Sequence, residues 1–295
     1  MKMTHKSGFV NILGNPNVGK STIMNALVGE NLSIITSKVQ TTRHRIMGIV
    51  NGEDFQIIYS DTPGIIKPNY KLHESMMKFV NSALDDADVL LYVTDVNENL
   101  TAEHDYLKRI STLNIPVVLL INKIDLVKEQ EEVEVLVEKW RKILPGAYII
   151  PLSAKEKFNL NTVFQTVTGI LPESPPYYPK DTLTDKSEKF FASEIIRQKV
   201  LLNYQKEIPY STEIEIEEFQ DKEEILRMRA VIHVMRDTQK GIIIGKKGAA
   251  LKKTGTAARL ELEAFFGKKV FLELFVKVNR DWRTKDYQLR RFGYR

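Results

Sequence analysis

The chain has 295 residues, 43% of them hydrophobic and 27% charged, which predicts two domains and excludes a wholly disordered chain. The absence of cysteine excludes disulfides, thiolate zinc sites and a catalytic thiol, and His5, His44, His73, His104 and His233 fall at no metal-ligand spacing. No apolar run reaches the ~18 residues of a membrane span and the first residues lead into no signal-peptide core, so the chain reads as cytosolic.

Net charge is +5, unevenly spread: residues 1–170 sum to −1, 171–239 to −4, and 240–295 carry 15 Lys and Arg against 5 Asp and Glu. A positive excess confined to the last segment points to a polyanionic partner, either nucleic acid or an anionic membrane. The plain alternative is a solvated basic tail.

In chain order, the first half alternates short apolar runs with longer periodic segments. Strands are expected at 9–14, 45–50, 54–60, 87–95, 116–122 and 147–152, and helices at 20–28, 101–113, 131–144 and 160–170. Val89–Val93 and Val117–Ile121 are apolar on both faces, as in a sheet covered by helices on both sides. Asn51-Gly52-Glu53-Asp54 joins two strands as a hairpin, so one edge strand is expected to be antiparallel. Pro172, Pro175, Pro176 and Pro179 then break the pattern and read as a linker. Beyond it, a helix at 188–204, alternating strands at 212–219 and 226–234, a Gly-rich turn, a helix at 249–266 and a strand at 270–278 form an α+β unit.

Gly14-Asn15-Pro16-Asn17-Val18-Gly19-Lys20-Ser21 follows a strand and opens a helix, the context of a P-loop. Its backbone amides would wrap phosphate oxygens at a helix N-terminus; Lys20 would neutralise the β- and γ-phosphates and Ser21 would bind Mg²⁺. Asp61-Thr62-Pro63-Gly64 ends the hairpin, where a carboxylate can hold Mg²⁺ through water and the Gly64 amide can reach the γ-phosphate. Asn122-Lys123-Ile124-Asp125 closes another apolar strand. The Asp125 carboxylate can accept both the ring N–H and the exocyclic amino group of guanine, a donor pair adenine lacks. Lys123 can lie along the base plane, and Ser153-Ala154-Lys155 offers a backbone amide to guanine O6.

Together these motifs resemble a translation-factor-type P-loop GTPase. The resemblance adds Thr22 to the nucleotide shell and implies that a threonine of Val39-Gln40-Thr41-Thr42-Arg43 closes over Mg²⁺ and the γ-phosphate; position fits Thr42, with Thr41 the alternative. Mg²⁺ ligands are thus expected from Ser21, Thr42 and Asp61. Ile65 stands where Ras-like enzymes orient water with glutamine, so intrinsic hydrolysis should be slow. In similar hydrophobic-substituted GTPases an asparagine corresponding to Asn17 coordinates K⁺, which supplies the missing charge.

Ile242-Ile243-Ile244-Gly245-Lys246-Lys247-Gly248 resembles the core of a KH domain, in which a Gly-x-x-Gly turn clamps about four single-stranded nucleotides. Residues expected at RNA are Lys240, Ile243, Ile244, Gly245, Lys246, Lys247, Gly248, Lys252, Lys253, Arg259, Lys277 and Arg280. The tail mixes Arg280, Arg283, Lys285, Arg290 and Arg291 with Trp282, Tyr287, Phe292 and Tyr294, which suits either base stacking or packing on its own domain.

A P-loop GTPase, a Pro-rich linker and a KH-like domain, together with Gln40–Arg45 and Val276–Arg283, resemble the Era family of ribosome-assembly GTPases along essentially the whole chain. The expected organisation is an α/β doubly wound GTPase domain with a mixed, mostly parallel sheet (1–171), a linker (172–181) and an α+β KH-type (type II) domain with a basic tail (182–295). The resemblance implies a monomer that binds the 3′ end of 16S ribosomal RNA and assists 30S subunit assembly, with GTP favouring the RNA-competent arrangement. It also implies a loose peripheral association with the inner membrane face. Two other readings stay open: a membrane-surface GTPase whose basic domain reads anionic lipid, and a small-molecule P-loop kinase.

Overall fold

The computed structural model describes residues 5–98 and 104–294 and resolves two units. The first comprises residues up to Ser33, Thr42–Lys67 and Met76–Asp185; the second comprises Ile34–Thr41, Pro68–Ser75 and Lys186 onward.

In the first unit the apolar runs become β1 (Lys6–Gly14), β2 (Ile46–Asn51), β3 (Phe55–Asp61), β4 (Val89–Asp95), β5 (Val117–Asn122) and β6 (Tyr148–Pro151), ordered β2-β3-β1-β4-β5-β6. All neighbours are parallel except β2 against β3, the expected hairpin. Every residue from Val89 to Val93 is fully buried, consistent with helices on both faces. Those helices are α1 (Lys20–Val28), α2 (Lys71–Asp85), α3 (Asp105–Ser111), α4 (Gln130–Ile143) and α5 (Leu160–Ile170). The residues Thr101–Glu103, with which the helix expected at 101–113 begins, lie outside the described residues. Helix α2 was not expected; it buries Leu72, Met76, Val80, Ala83 and Leu84 along one face. Strand order reverses about β1, whose neighbours are β3 and β4, so the crevice for a ligand lies at its C-terminal end.

The proline-rich segment is a strap rather than a free linker. Gln56 Oε1 accepts from the amides of Tyr177 and Tyr178 at 2.8 and 2.9 Å, Ile49 N–H donates to the Leu183 carbonyl at 2.8 Å, and Gly48 bridges Thr184. It thereby covers the open edge of β2. The first unit therefore runs through Asp185, past the expected boundary at 171.

The second unit packs α6 (Glu188–Asn203), α7 (Asp237–Ile244) and α8 (Ala249–Phe266) with a three-stranded sheet of β7 (Glu213–Asp221), β8 (Ile225–Val234) and β9 (Lys269–Val278). Strand β8 pairs antiparallel with β7 and parallel with β9. Alternation sends Leu226, Met228, Ala230, Ile232 and Val234 into one core with Ile196, Val200, Ile243, Ala258 and Leu262. Helix α7 adds to the expected order and places two helices around the Gly-rich turn. The tail, which ends in α9 (Asp286–Arg291), packs on its own domain. Trp282 is fully buried and donates to the Ser211 carbonyl at 3.1 Å, and Tyr294 donates to Glu213 at 2.7 Å. Tyr287 alone of the four tail aromatics is well exposed.

Candidate functional site

Four loops at the C-terminal ends of β1, β3, β5 and β6 carry the nucleotide motifs. Asn15, Pro16 and Asn17 bridge β1 to α1, with Val18 buried beneath them and Thr22 in the first turn of α1. Gly19 has φ 101°, and a Cβ there would stand 2.1 Å from Asn122 Nδ2, so the loop closes only with glycine. The Ile65 amide donates to the Gly14 carbonyl at 3.1 Å, which seats Gly64 beside the P-loop. Thr62 Oγ1 donates to the Ile12 carbonyl at 2.7 Å, so this threonine and the buried Pro63 hold the loop to the sheet.

Lys20 is 6% exposed and donates to the carbonyls of Gly14 and Asn15 at 3.0 and 2.7 Å. Burial lowers its pKa to about 8, against the opposing pull of Asp61 and Glu98. Ser21 Oγ donates to Asp61 Oδ2 at 2.6 Å and lies 2.9 Å from Thr42 Oγ1, which is itself 3.3 Å from the same carboxylate oxygen. Asp61 is fully buried, which pushes its carboxyl above the usual range, although Ser21, Lys20 and Thr42 oppose the shift. Its Oδ1 has no partner among the described residues. Two hydroxyls beside a buried carboxylate with one orphan oxygen form the hard, oxygen-only donor set that suits Mg²⁺. Thr41, the alternative, instead bonds Lys38 O and Thr36 Oγ1, both at 2.6 Å, and stays outside this cluster.

On the base side, Asn122 Nδ2 donates to the Val18 carbonyl at 2.8 Å and its Oδ1 accepts from the Ala154 amide at 3.0 Å. Asn122 therefore ties the P-loop to the loop after β6. Asp125 Oδ1 accepts from Ser153 Oγ at 2.5 Å, which orients the carboxylate. Lys123 donates to the Asn17 carbonyl at 2.7 Å and to Asp95 Oδ2 at 2.5 Å. Asp95 escaped the sequence reading; its only signal was a carboxylate ending an apolar strand. The Lys155 side chain points outward to Glu156 at 3.0 Å, leaving its backbone for any ligand.

The second unit carries a groove of 410 Å³ between α8 and β9, lined by Gly248, Leu251, Lys252, Gly255, Thr256, Arg259, Leu272 and Leu274. At its head the turn Gly245-Lys246-Lys247-Gly248 exposes both lysines on left-handed glycines with φ 71° and 78°. Lys240 is half-buried on α7 and Lys253 is exposed on α8, neither of them in the groove lining.

Four further residues expected at RNA also stand outside the groove lining. Ile243 is fully buried and Ile244 packs against the same core, so they support the turn. Lys277 pairs with Glu217 at 2.6 Å, on the strand face opposite the buried Val276 and half-buried Val278. Arg280 lies 3.8 Å from Asp237 and is not in the lining. Glu263, unremarked in the sequence, accepts from the Val270 amide at 3.1 Å and from Arg259 at 2.7 Å. These contacts, the amide first, hold its carboxyl below the usual range.

Residues 9–123 match the family described as 50S ribosome-binding GTPase, and residues 207–283 match the KH domain. The chain is 42% identical to the GTPase Era of Staphylococcus haemolyticus over 292 residues, covering 98% of this chain and 97% of that one. It is 43% identical to the GTPase Era of Syntrophus aciditrophicus over 295 residues, covering 98% and 95%. Among solved structures it superposes with TM-score 0.93 and 39% identity on Era in complex with MgGDPNP and nucleotides 1506–1542 of 16S ribosomal RNA, covering 98% and 99%. A single-site variant of Aquifex aeolicus Era bound to GDP and AlF₄⁻ matches with TM-score 0.93 and 40% identity, covering 98% and 99%.

Proposed function

The chain belongs to the Era family of GTPases, and from that premise we propose that it is a GTP-switched, Mg²⁺-dependent RNA-binding factor that engages the 3′ end of 16S ribosomal RNA. Its process is small (30S) subunit assembly, in the cytoplasm. One observation carries the reading: a single chain joins the Ser21–Thr42–Asp61 oxygen cluster at a P-loop to a groove headed by two exposed lysines. No helix among the described residues is long and apolar enough to cross a membrane.

The reaction is GTP hydrolysis to GDP and phosphate. Lys20 and the loop amides bind the β- and γ-phosphates, and Asp125 selects guanine. Mg²⁺, held by Ser21, Thr42 and Asp61, supplies charge neutralisation on the phosphate oxygens. The Ile65 side chain is buried, carries no hydrogen-bonding group and leaves water unoriented, so the intrinsic rate is slow. Asn17 is exposed in the loop with φ 65°, which supports the proposal that its side chain and K⁺ supply the missing charge. Equal hydrolysis rates in K⁺ and Na⁺ buffers, or in Asn17→Ala, would remove that assignment.

We propose further that GTP–Mg²⁺ orders residues around 31–45 and 61–80 and so changes the RNA affinity of the second unit. Support comes from the clustering of residues: 34–41 and 68–75 belong to the second unit, whereas Thr42 and Gly64 belong to the first. Such coupling is worth ~1–3 kcal/mol. The test is titration of a short RNA copying the 3′ end of 16S rRNA into protein loaded with a non-hydrolysable GTP analogue or with GDP. Scrambled RNA and anionic vesicles are the controls. Sequence-dependent binding favoured by the analogue is expected; binding indifferent to sequence and nucleotide, with vesicles bound equally well, overturns the reading.

A further inference from the structure

We propose that Arg259 reads one base of the bound RNA, accepting guanine or cytosine and rejecting adenine or uracil, and that Glu263 is the positioning residue that aims it. The proposal rests on the RNA reading of the groove and goes beyond it by naming what the far end recognises. The groove has two chemically different ends. Its head is the exposed lysine turn, which suits phosphate. Its floor is apolar, made by Leu251, Gly255, Leu272 and Leu274. Arg259 stands at the other end of the lining, eleven residues beyond Gly248, which caps its helix. At 1.5 Å per residue that is ~16 Å, a fair length for the roughly four nucleotides a KH groove holds.

The guanidinium is fixed before any ligand arrives. Glu263 Oε1 accepts from Arg259 Nη1 at 2.7 Å and from the Val270 backbone N–H at 3.1 Å, so the start of β9 pins the carboxylate and the carboxylate pins the arginine. The Nε and Nη2 donors of Arg259 meet no acceptor among the described residues, and its side chain is 40% exposed. A preset fork with a free edge differs from a mobile surface lysine: it rewards two acceptors side by side. Guanine offers N7 and O6, and cytosine offers N3 and O2. Adenine sets an amino donor beside N1 and N7, and uracil sets N3–H between its two carbonyls; neither base presents an adjacent pair of acceptors. The plain alternative is a helix-surface ion pair at i, i+4, which would move neither base preference nor RNA affinity.

The test titrates short RNAs copying the 3′ end of 16S rRNA, each position in turn carrying A, C, G or U, against the full chain. The same set is run on Arg259→Gln, Arg259→Lys and Glu263→Gln. Expected is one position at which G and C bind about tenfold more tightly than A and U. Arg259→Gln and Arg259→Lys flatten that preference while preferences elsewhere persist, and Glu263→Gln weakens it although the cation remains. Equal weakening of every RNA by Arg259→Gln would make the residue a phosphate contact and overturn the proposal. So would tight parental binding with no such position, or a preference that survives Arg259→Gln. Failure of the parent chain to bind any RNA would instead overturn the RNA reading of the groove and this proposal with it.

Discussion

The two ligand regions differ in how their chemistry is held. In the nucleotide site the polar side chains brace one another: Ser153 holds Asp125, Asp95 holds Lys123, and Ser21 and Thr42 share one oxygen of Asp61. In the groove the charges are mostly exposed lysines, and only Arg259 is fixed by a carboxylate. A preorganised site concentrates its energy in single atoms, whereas an exposed cationic surface spreads it over many weak, salt-screened contacts. Substitutions should therefore act all-or-none in the first region and by degrees in the second.

The sharpest break of that contrast is Asp125→Ala. It removes two charge-assisted hydrogen bonds to guanine, together ~3–6 kcal/mol, so GTP affinity should fall by roughly 10²- to 10⁴-fold. RNA binding by nucleotide-free protein should be unchanged. Fluorescent-nucleotide titration checks the first statement, and retained GTP affinity would contradict the guanine assignment. Next in size is Trp282→Ala. The indole is fully buried, packs edge-on to Phe292 at 5.6 Å and donates to the Ser211 carbonyl, so its loss should destabilise the second unit by ~3–5 kcal/mol. A denaturation curve should then show that unit melting early while GTP binding persists. An unchanged curve would mean that the tail is ornamental rather than a staple.

This contrast also governs what the sequence could reveal. The P-loop, Asp61–Gly64 and Asn122–Asp125 were legible because phosphate and guanine demand particular residues at loops that end apolar strands, and β4 and β5 are apolar on both faces. Gly245–Gly248 was legible for a similar backbone reason. Helix α7 was not, since eight residues that include Gly241 are too short for a periodic signal. Helix α2 carries Leu72, Met76, Val80, Ala83 and Leu84 at helical spacing among polar residues, so its stripe was present in the sequence and was passed over. The strap after residue 171 was misread because proline content reports what a segment cannot form; its acceptor, Gln56, lies more than a hundred residues earlier. Asp95 acts only through a tertiary neighbour, whereas Glu263 pairs with Arg259 at i, i+4, a spacing present in the string.

A graded response is expected from the lysine turn. Lys246→Ala with Lys247→Ala should weaken RNA binding roughly tenfold near 0.1 M salt. It should also flatten the log–log salt slope by ~1.4, about 0.7 for each phosphate contact on a single strand. Each single variant should give about half of that change. Loss of all binding in one single variant would show the turn to be as preorganised as the P-loop.

The smallest effect separates the regions by proton rather than by mutation. Burial lowers the Lys20 pKa to about 8 in the nucleotide-free site, so above that pH most molecules present a neutral amine to the phosphates. Phosphate favours the ammonium form, so the bound state has the higher pKa, and nucleotide binding must take up a proton when pH exceeds about 8. The sign follows: affinity is full below pH 8 and declines as pH rises through it. Between pH 7 and pH 8.5 the charged fraction falls from ~0.9 to ~0.25, an affinity loss of about fourfold. Calorimetry at pH 8.5 in two buffers of different ionisation enthalpy measures the uptake directly, with about three-quarters of a proton expected per GDP bound. Uptake near zero would mean that Lys20 keeps its charge beside Asp61 without phosphate, and the nucleotide site would then be more solvated than its burial implies.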